Sequence, residues 1–372
     1  MKDRKPRGII LVSYPIESAF NTPISNLSTI LRALTETYVI IGTYDPSVTK
    51  KKCNSIEYTF FYESCSSIFS KLIKFEIMQF QILYKIFYLR KNYNGIIFFM
   101  EFPPLLPMII GKLLNKNIHW LFPSKISIFL KSHYFKIIKI ISKLCYYLCT
   151  HILLYSPRLI SEWHLTPHRH KILIAHRHFL DFTTFTITTF FPERPPLIGY
   201  IGRLSAEKGV QHFVQALPAI LSEQQDLRVL IGGDGQLKES IEKSLDAEKI
   251  TARVDLPGWI SHEDLPNYLN QLRLLVLPSY TEGLPNIMLE AMACGTPVLA
   301  TPVGAIPDVI RDGETGFIME DNSPECIARN LLRALHDPDL EGVAERGRRF
   351  VEREFTFEKA VERWKGILED VE

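Results

Sequence analysis

Two glutamates, Glu282 and Glu290, stand in the stretch LPSYTEGLPNIMLEAMACGTPVLATPVG, residues 277–304. The first lies in a loop rich in Gly and Pro. The second lies in the apolar segment that follows, and Gly295 and Pro297 open another loop directly after it. Carboxylates this close to turn residues can act as acid and base, as metal ligands, as hydroxyl binders or as charges at a helix end. Leu284, Pro285 and Asn286 lead into a helix, so the N–H groups around 284–287 have no intrahelical partner and are open to phosphate or sugar oxygens. Glu290 falls one turn into that helix, where a carboxylate suits the two hydroxyl donors of a ribose. Glu282, nearer the loop tip, can take the hydroxyls of a sugar. The alternative makes Glu290 a partner of the helix dipole and Glu282 a solvated loop charge.

Three further stretches have the same character. In GRLSAEKG, Gly202 ends a strand, and Arg203 and Lys208 flank a turn that opens a helix. Two cations beside exposed N–H groups make an anion site that suits a diphosphate; the alternative is a pair of solvated charges. In IGGDGQL, glycines such as Gly233 at a strand end permit close approach of a ligand, or form a tight turn and nothing more. In PGWISHEDL, Trp259 and Ile260 follow Gly258. They offer a flat apolar surface to a nucleobase, unless they only pack beneath the loop.

The elements that must hold these loops read clearly in the second half. Strands are expected at PPLIGYIGRL, DLRVLIGG, RVDLPGW, LRLLVLPS, TPVLAT and GFIM, with helices over 210–221, 237–249, 265–271, 286–294 and 324–336. Short apolar strands alternating with helices imply a parallel, doubly wound sheet, which binds ligands outside the carboxyl ends of its strands. The first half gives strands at RGIILVSYP, TYVIIGTY, GIIFFMEFP, NIHWLFPS and THILLYS, and a helix over 25–35. The expected organisation is an N-terminal Rossmann-like domain (1–181), a linker (182–196, within FTTFTITTFFPERPP), a C-terminal Rossmann-like domain (197–354) and a charged amphipathic helix (355–372).

At 372 residues, 46% hydrophobic and 23% charged, the chain has material for two cores. The six cysteines form no C-x-x-C pair, which argues against a zinc ribbon or disulfide framework and fits a reducing cytosol. The N-terminus MKDRKPRGIILVSYPIES reads as a first strand and not a signal peptide. The net charge of +2 hides an asymmetry: residues 1–190 carry 24 Lys and Arg against 10 Asp and Glu, and the remainder of the chain is acidic. Such halves suggest two domains with different partners. A nucleic-acid binder would account for the first half's charge but not for four ligand turns in the acidic half, so no nucleic-acid partner is expected.

Glu282 and Glu290 resemble the E-x7-E pair of the retaining glycosyltransferases of family 4, which have the GT-B fold. GRLSAEKG, GGDG, the strand before PGW, EGLPNIMLEAMACGTPVLAT and GETGF occur in that family's order, over about residues 195–372. The resemblance implies two Rossmann-like domains facing a cleft, with the last helix crossing back to the first domain. It implies a retaining hexosyltransferase that moves a sugar from a UDP- or GDP-linked donor to a glycan or lipid-linked acceptor, with no cofactor and no metal. Arg203 and Lys208 would bind the donor diphosphate, Glu290 the ribose, and Glu282 the donor sugar. The backbone of Gly283, Leu284, Pro285, Asn286 and Ile287 would cap phosphate and sugar oxygens. The only D-x-D, Asp337–Asp339, follows no apolar strand and reads as a helix cap rather than a metal site.

The first half departs from the family. Members commonly carry a Gly-Gly loop after the first strand, whereas this chain has SYPIESAFNTPISNL, where Asn21 and Thr22 can offer hydrogen bonds. A family histidine near the sugar has His119 and Glu101 as candidates here, with core roles as the alternative. His176 and His178, in AHRHFLDF, lack the partners of a metal site. The missing glycines keep open a catalytically inactive nucleotide-binding GT-B protein; a sugar-nucleotide epimerase is a further alternative. Residues 64–149 hold 12 Lys and Arg against 2 acids. In FSKLIKFEIMQFQILYKIFYLRK and SKISIFLKSHYFKIIKIISKLCYYL, Lys is mixed with Phe, Tyr and Ile, and charges interrupt both before a membrane span. In the second, Lys136, Lys139 and Lys143 share a face, with Ile137, Ile138, Ile141, Leu144 and Leu148 expected opposite. This describes interfacial helices on anionic lipid, and a cytoplasmic enzyme peripheral on the cytoplasmic membrane face. The alternative is ordinary helices packed on the sheet with Lys in solvent.

Overall fold

Runs of β-branched and aromatic residues, buried on both sides, build two parallel sheets in which helices cover the strands. The structure, a computed structural model, describes residues 8–16, 21–43, 58–61, 68–100, 102–122 and 133–369. The chain forms two compact units: one runs to Phe179 and takes in the segment from Phe357 onward, and the other is Leu180–Thr356.

In the first unit, strands β1 (Gly8–Ile16), β2 (Thr37–Thr43), β3 (Tyr58–Phe61), β4 (Tyr93–Phe99), β5 (Asn117–Leu121), β6 (His151–Leu154) and β7 (Ile172–Ile174) pair in the order 3-2-1-4-5-6-7. Every pairing is parallel. The connecting helices are α1 (Asn21–Leu34), α2 (Ile68–Tyr88), α3 (Leu105–Leu113), α4 (His133–Leu148) and α5 (Arg158–Glu162). Central strands such as Ile10–Val12 and Ile96–Phe98 are buried throughout, which is why they read as unbroken apolar runs and not as alternation. The expected strands are present, and β3 and β7 are additions at the two edges. Both are short, and β7 is only half-buried, so neither makes a strong apolar signal.

In the second unit, β8 (Leu197–Ile201), β9 (Arg228–Gly232), β10 (Val254–Gly258), β11 (Leu274–Leu277), β12 (Val298–Ala300) and β13 (Phe317–Ile318) pair in the order 10-9-8-11-12-13. All these pairings are parallel as well. The helices are α6 (Val210–Glu223), α7 (Lys238–Ala247), α8 (Leu265–Leu269), α9 (Asn286–Ala293), α10 (Ile306–Val309), α11 (Pro324–Leu335) and α12 (Leu340–Glu354). The fold class is therefore the expected one, two doubly wound parallel α/β sheets. The strand order reverses between β8 and β11, and that reversal opens the crevice in which such sheets bind ligands.

The segment 182–196 is not a free linker. It is packed on the second unit, because Arg194 is buried there and its guanidinium must be satisfied. Arg194 donates to the Leu272 and Cys294 carbonyls and to Thr296 Oγ1, and burial pulls its pKa down to about 10. Asn270 reaches the same segment, accepting from the Thr188 N–H and donating to the Thr186 carbonyl. The last helix, α13 (Phe357–Glu369), belongs to the first unit and packs on α1. Its Trp364 is fully buried and donates its indole N–H to the His176 carbonyl.

Candidate functional site

The loops after β8 and β11 flank the switch point and are fastened to each other. Gly209 sits at φ +67°, and a Cβ there would lie 2.0 Å from the Pro278 carbonyl oxygen. Only glycine lets the β8 loop pass this close to the β11 loop. The Tyr280 N–H donates to the Glu207 carbonyl at 2.9 Å. The two loops thereby bring Lys208 and Glu282 together: the ammonium donates to Glu282 Oε1 at 2.7 Å. Ser279 Oγ donates to the same oxygen at 2.7 Å, and Thr301 Oγ1 holds the Ser279 carbonyl. Glu282 is only 8% exposed, so it is not the solvated loop charge of the alternative reading.

Arg203 stands apart from this pair. Its side chain is 53% exposed and lies 3.6 Å from Glu207 Oε1. Its backbone carbonyl is fixed by the Tyr200 hydroxyl at 2.7 Å, and burial raises the pKa of that phenol. Glu207 also accepts from Ser205 Oγ. The guanidinium is thus an outward cation on an anchored backbone, and Gly202 N–H ties that backbone to the Gly232 carbonyl.

Helix α9 begins at the end of the β11 loop. Pro285 occupies its N-cap position, no side chain caps it, and its first turn holds no acid. A helix start of this kind favours an anion through its N–H groups and dipole. Gly283 and Leu284 are buried, and the Gly283 carbonyl accepts from the Ala305 N–H; Asn286 and Ile287 form the first turn. Glu290 is 6% exposed and lies 3.2 Å from His262 Nε2. The His262 ring meets Phe185 edge to face. Cys294, just beyond the helix, is pushed up to about 12 by burial, so its thiol is inert.

The GGDG turn packs against the β8 loop. Gly233 has φ +132°, and a Cβ there would lie 1.9 Å from the Gly202 carbonyl oxygen. Its missing side chain is therefore filled by the β8 loop. Leu204 N–H donates to Asp234 O, and Leu237 N–H donates to Leu204 O. The turn braces the loop that carries Arg203 and Lys208. Ile260 folds over Gly232, whereas Trp259 is 73% exposed and so presents an open apolar face. A small cleft behind the turn is lined by Leu204, Ile231, Leu256 and Gly258; neither Lys208 nor Glu282 lines it.

Of the candidates from the first half, only His119 has a described side chain. Glu101 lies outside the described residues, as do the side chains of Asn21 and Thr22. His119 is not at a carboxyl strand end but in the middle of β5, buried and stacked on His151 with ring centroids 5.3 Å apart. Burial first, and His151 second, lower its pKa to about 3, so it is a neutral core histidine. His176 is likewise lowered to about 3, by burial and then by Arg363 and Arg177. Among the described residues no group of three or more His, Cys, Asp or Glu is arranged to hold a metal ion. Asp337 accepts the Asp339 N–H, and the Asp339 carboxylate pairs with Arg346 and makes no cap bond to α12. Sequence reasoning missed Ser279, His262 and Glu207. Ser279 had a local signal, three residues before Glu282, but His262 is 28 residues from Glu290 and only folding joins them.

Two doubly wound units of these strand orders define the GT-B class. The fold matches that of Anabaena HepE, solved in complex with UDP, with a TM-score of 0.77 at 13% identity, over 98% of this chain and 100% of that one. Residues 182–353, nearly all of the second unit, match the family model of the glycosyl transferases group 1. An alpha-D-kanosaminyltransferase of Streptomyces kanamyceticus is 31% identical over 177 residues, 47% of this chain and 46% of that protein. A GDP-mannose-dependent monoacylated alpha-(1-6)-phosphatidylinositol monomannoside mannosyltransferase of Corynebacterium glutamicum is 28% identical over 187 residues, 48% of each. The chain spans about half the length of the curated relatives it matches.

Proposed function

We propose that the protein is a family 4 retaining glycosyltransferase that moves a sugar from a nucleoside diphosphate donor to a glycan or lipid-linked acceptor. The observation that carries this reading is the Lys208–Glu282 pair at the switch point, 2.7 Å apart and beside the uncapped start of α9. The match to group 1 glycosyl transferases over residues 182–353 supports it. Lys208 and Arg203 take the diphosphate, and the N–H groups of residues 283–287 take the remaining phosphate and sugar oxygens. Glu290, oriented by His262, accepts from the ribose hydroxyls, and Glu282 accepts from hydroxyls of the donor sugar. The base lies against Trp259 and Ile260.

The bond from the anomeric carbon to the phosphate oxygen breaks, and a bond to the acceptor oxygen forms on the same face. The acceptor proton leaves with the nucleoside diphosphate. Charge grows on that leaving group, so cations and helix N–H groups aimed at it stabilise the transition state more than the ground state. With two side-chain cations in this role, the reading expects turnover in EDTA. UDP and GDP are the donor nucleotides to test, and the cytoplasm, with the protein peripheral on the cytoplasmic face of the membrane, is the proposed location.

The test is thermal unfolding against UDP, GDP, ADP and their sugar conjugates in EDTA, followed by release of nucleotide from the donor that binds. A ligand at about 100 times its dissociation constant adds about 2.7 kcal/mol, and one nucleotide family is expected to give that shift. No shift with any of them would overturn the site. A shift without nucleotide release, with an acceptor panel present, would leave a nucleotide-binding protein without turnover. The anomeric coupling in the product's proton spectrum tests retention.

A further inference from the structure

Helices α2, α3 and α4 share one face of the first sheet. Strand order and right-handed crossovers put them together, and α3 packs between the other two. Each is amphipathic toward the sheet. On α2 the inward stripe is Met78, Ile82 and Ile86, with Leu89 just past its end, all buried. A solvent-facing stripe opposite should then be polar. Instead it holds Ile73, Ile77, Phe80, Tyr84 and Tyr88, spaced by three or four along the helix, with Phe87 beside them, every one exposed. Exposed Ile109 and Leu113 continue the surface on α3, and exposed Ile140, Leu144 and Tyr147 on α4. Of the fifteen exposed large apolar residues among those described, eleven fall on these three helices. That is a patch and not the ordinary scatter of surface hydrophobes.

Charge says what covers it. Lys139 and Lys143 are exposed on α4 and immediately precede Ile140 and Leu144, and Lys112 is exposed on α3. Sequence spacing put Leu144 opposite these lysines, but the stripe that packs inward on α4 runs through Ser142, Cys145 and Cys149, so Leu144 shares their outer side. On α2 Lys85 lies over the Tyr88 ring, and Arg90, just past the helix, lies over the Phe87 ring at 4.2 Å. Such side chains rest their stems on apolar surface and lift their charge to its edge. Residues 64–149 carry 12 basic groups against 2 acids. A second copy of the same face would meet like charge with like charge, whereas an anionic headgroup layer complements it. None of the described helices is long and apolar enough to cross a membrane.

We propose that the α2–α3–α4 face docks on the surface of a lipid bilayer that carries anionic headgroups, with the apolar stripe entering the headgroup–acyl boundary. The placement stands independently of the sugar-transfer reading and brings the first unit to a surface where an amphiphilic acceptor resides.

The experiment is co-sedimentation of the full chain, without nucleotide, with phosphatidylcholine vesicles made with and without phosphatidylglycerol, alongside sedimentation velocity without vesicles. The protein is expected to bind only the anionic vesicles and to release them at high salt. Lys139→Glu with Lys143→Glu should weaken binding at least about 25-fold, about fivefold per charge lost from an anionic surface. Phe80→Ser with Tyr147→Ser should weaken it more than tenfold and persist at low salt, with thermal unfolding unchanged because both side chains are exposed. Failure of the parent protein to bind anionic vesicles would overturn the proposal, as would binding that both double variants leave intact. A parent dimer that Phe80→Ser dissociates would overturn it in favour of a second copy on this face.

Discussion

Lys208→Met is the sharpest perturbation of the proposed site. It keeps the length of the stem and removes the charge. Lys208 donates to Glu282 at 2.7 Å, and the pair is largely but not fully buried, at 26% and 10% side-chain exposure. Its loss therefore costs unfolding stability between the limits for exposed and buried pairs, about 1–2 kcal/mol. Glu282 keeps the Ser279 hydroxyl, and Ser279 keeps Thr301, so the loop stays in place. A charge-assisted hydrogen bond to a diphosphate oxygen is worth about 1.5–3 kcal/mol, or about one to two decades in kcat/KM. If the bond strengthens as the leaving group develops charge, the loss falls on kcat; if it is equal in the ground state, it falls on KM. Arg203→Met provides the comparison. Its partner is 3.6 Å away and its side chain is half exposed, so it should lose a similar factor in rate with no change in unfolding. The assay is the initial rate of nucleotide release across donor concentrations, with denaturant unfolding of each variant. A folded Lys208→Met protein with kcat/KM within about threefold of the parent, less than the smallest effect of a charged bond, would remove Lys208 from the machinery and refute the assignment.

Gly233→Ala should destabilise the second unit by about 2–4 kcal/mol, since strain at its positive φ adds to a Cβ placed 1.9 Å from the Gly202 carbonyl; a urea midpoint equal to the parent's would contradict this. Burial lowers His119 and His176 to about 3 in the folded protein, from the ordinary histidine range near 6.5. The unfolded chain therefore takes up protons that the folded chain refuses. Their contribution is full above the unfolded value and is lost as pH falls below it, at about 1.4 kcal/mol per pH unit for each histidine. Thermal unfolding should drop between about pH 7 and pH 5, and His119→Leu should flatten the drop; a parent profile that is level across this window would show that the histidines are not held neutral.

The second unit was the more legible because its signals are local. Each site loop sits where an apolar run ends in Gly or Pro, and a parallel sheet converts that pattern directly into strand ends. What sequence could not supply was pairing at a distance. Lys208 and Glu282 are 74 residues apart, and each was read as a separate ligand group before folding placed them in contact. Arg194 shows the opposite case. Thr and Pro around it looked like a linker, yet a buried guanidinium with three acceptors fixes the segment to the second unit. His119, for which a core role was the alternative, is a related case. A histidine in an apolar strand gives the same sequence signal whether it faces a ligand or a neighbouring ring, and here it faces His151.

In the proposed donor site, the Lys208–Glu282 contact also resolves a difficulty, that of placing a carboxylate by a diphosphate. Two such charges about 4 Å apart repel by about 4 kcal/mol at an effective dielectric of 20, which alone would spoil a donor site. With Lys208 between them the ammonium can serve both anions, because it has three donors and Glu282 uses one. The carboxylate is then free to act through its hydrogen-bond acceptors on sugar hydroxyls and not through its charge on phosphate. The same logic explains why the loops are locked to each other by the Gly209–Pro278 approach and by Tyr280 on Glu207. A lysine that must divide its donors between two anions has to be held at a fixed distance from one of them, and the switch point of the sheet is where the backbone can enforce that distance.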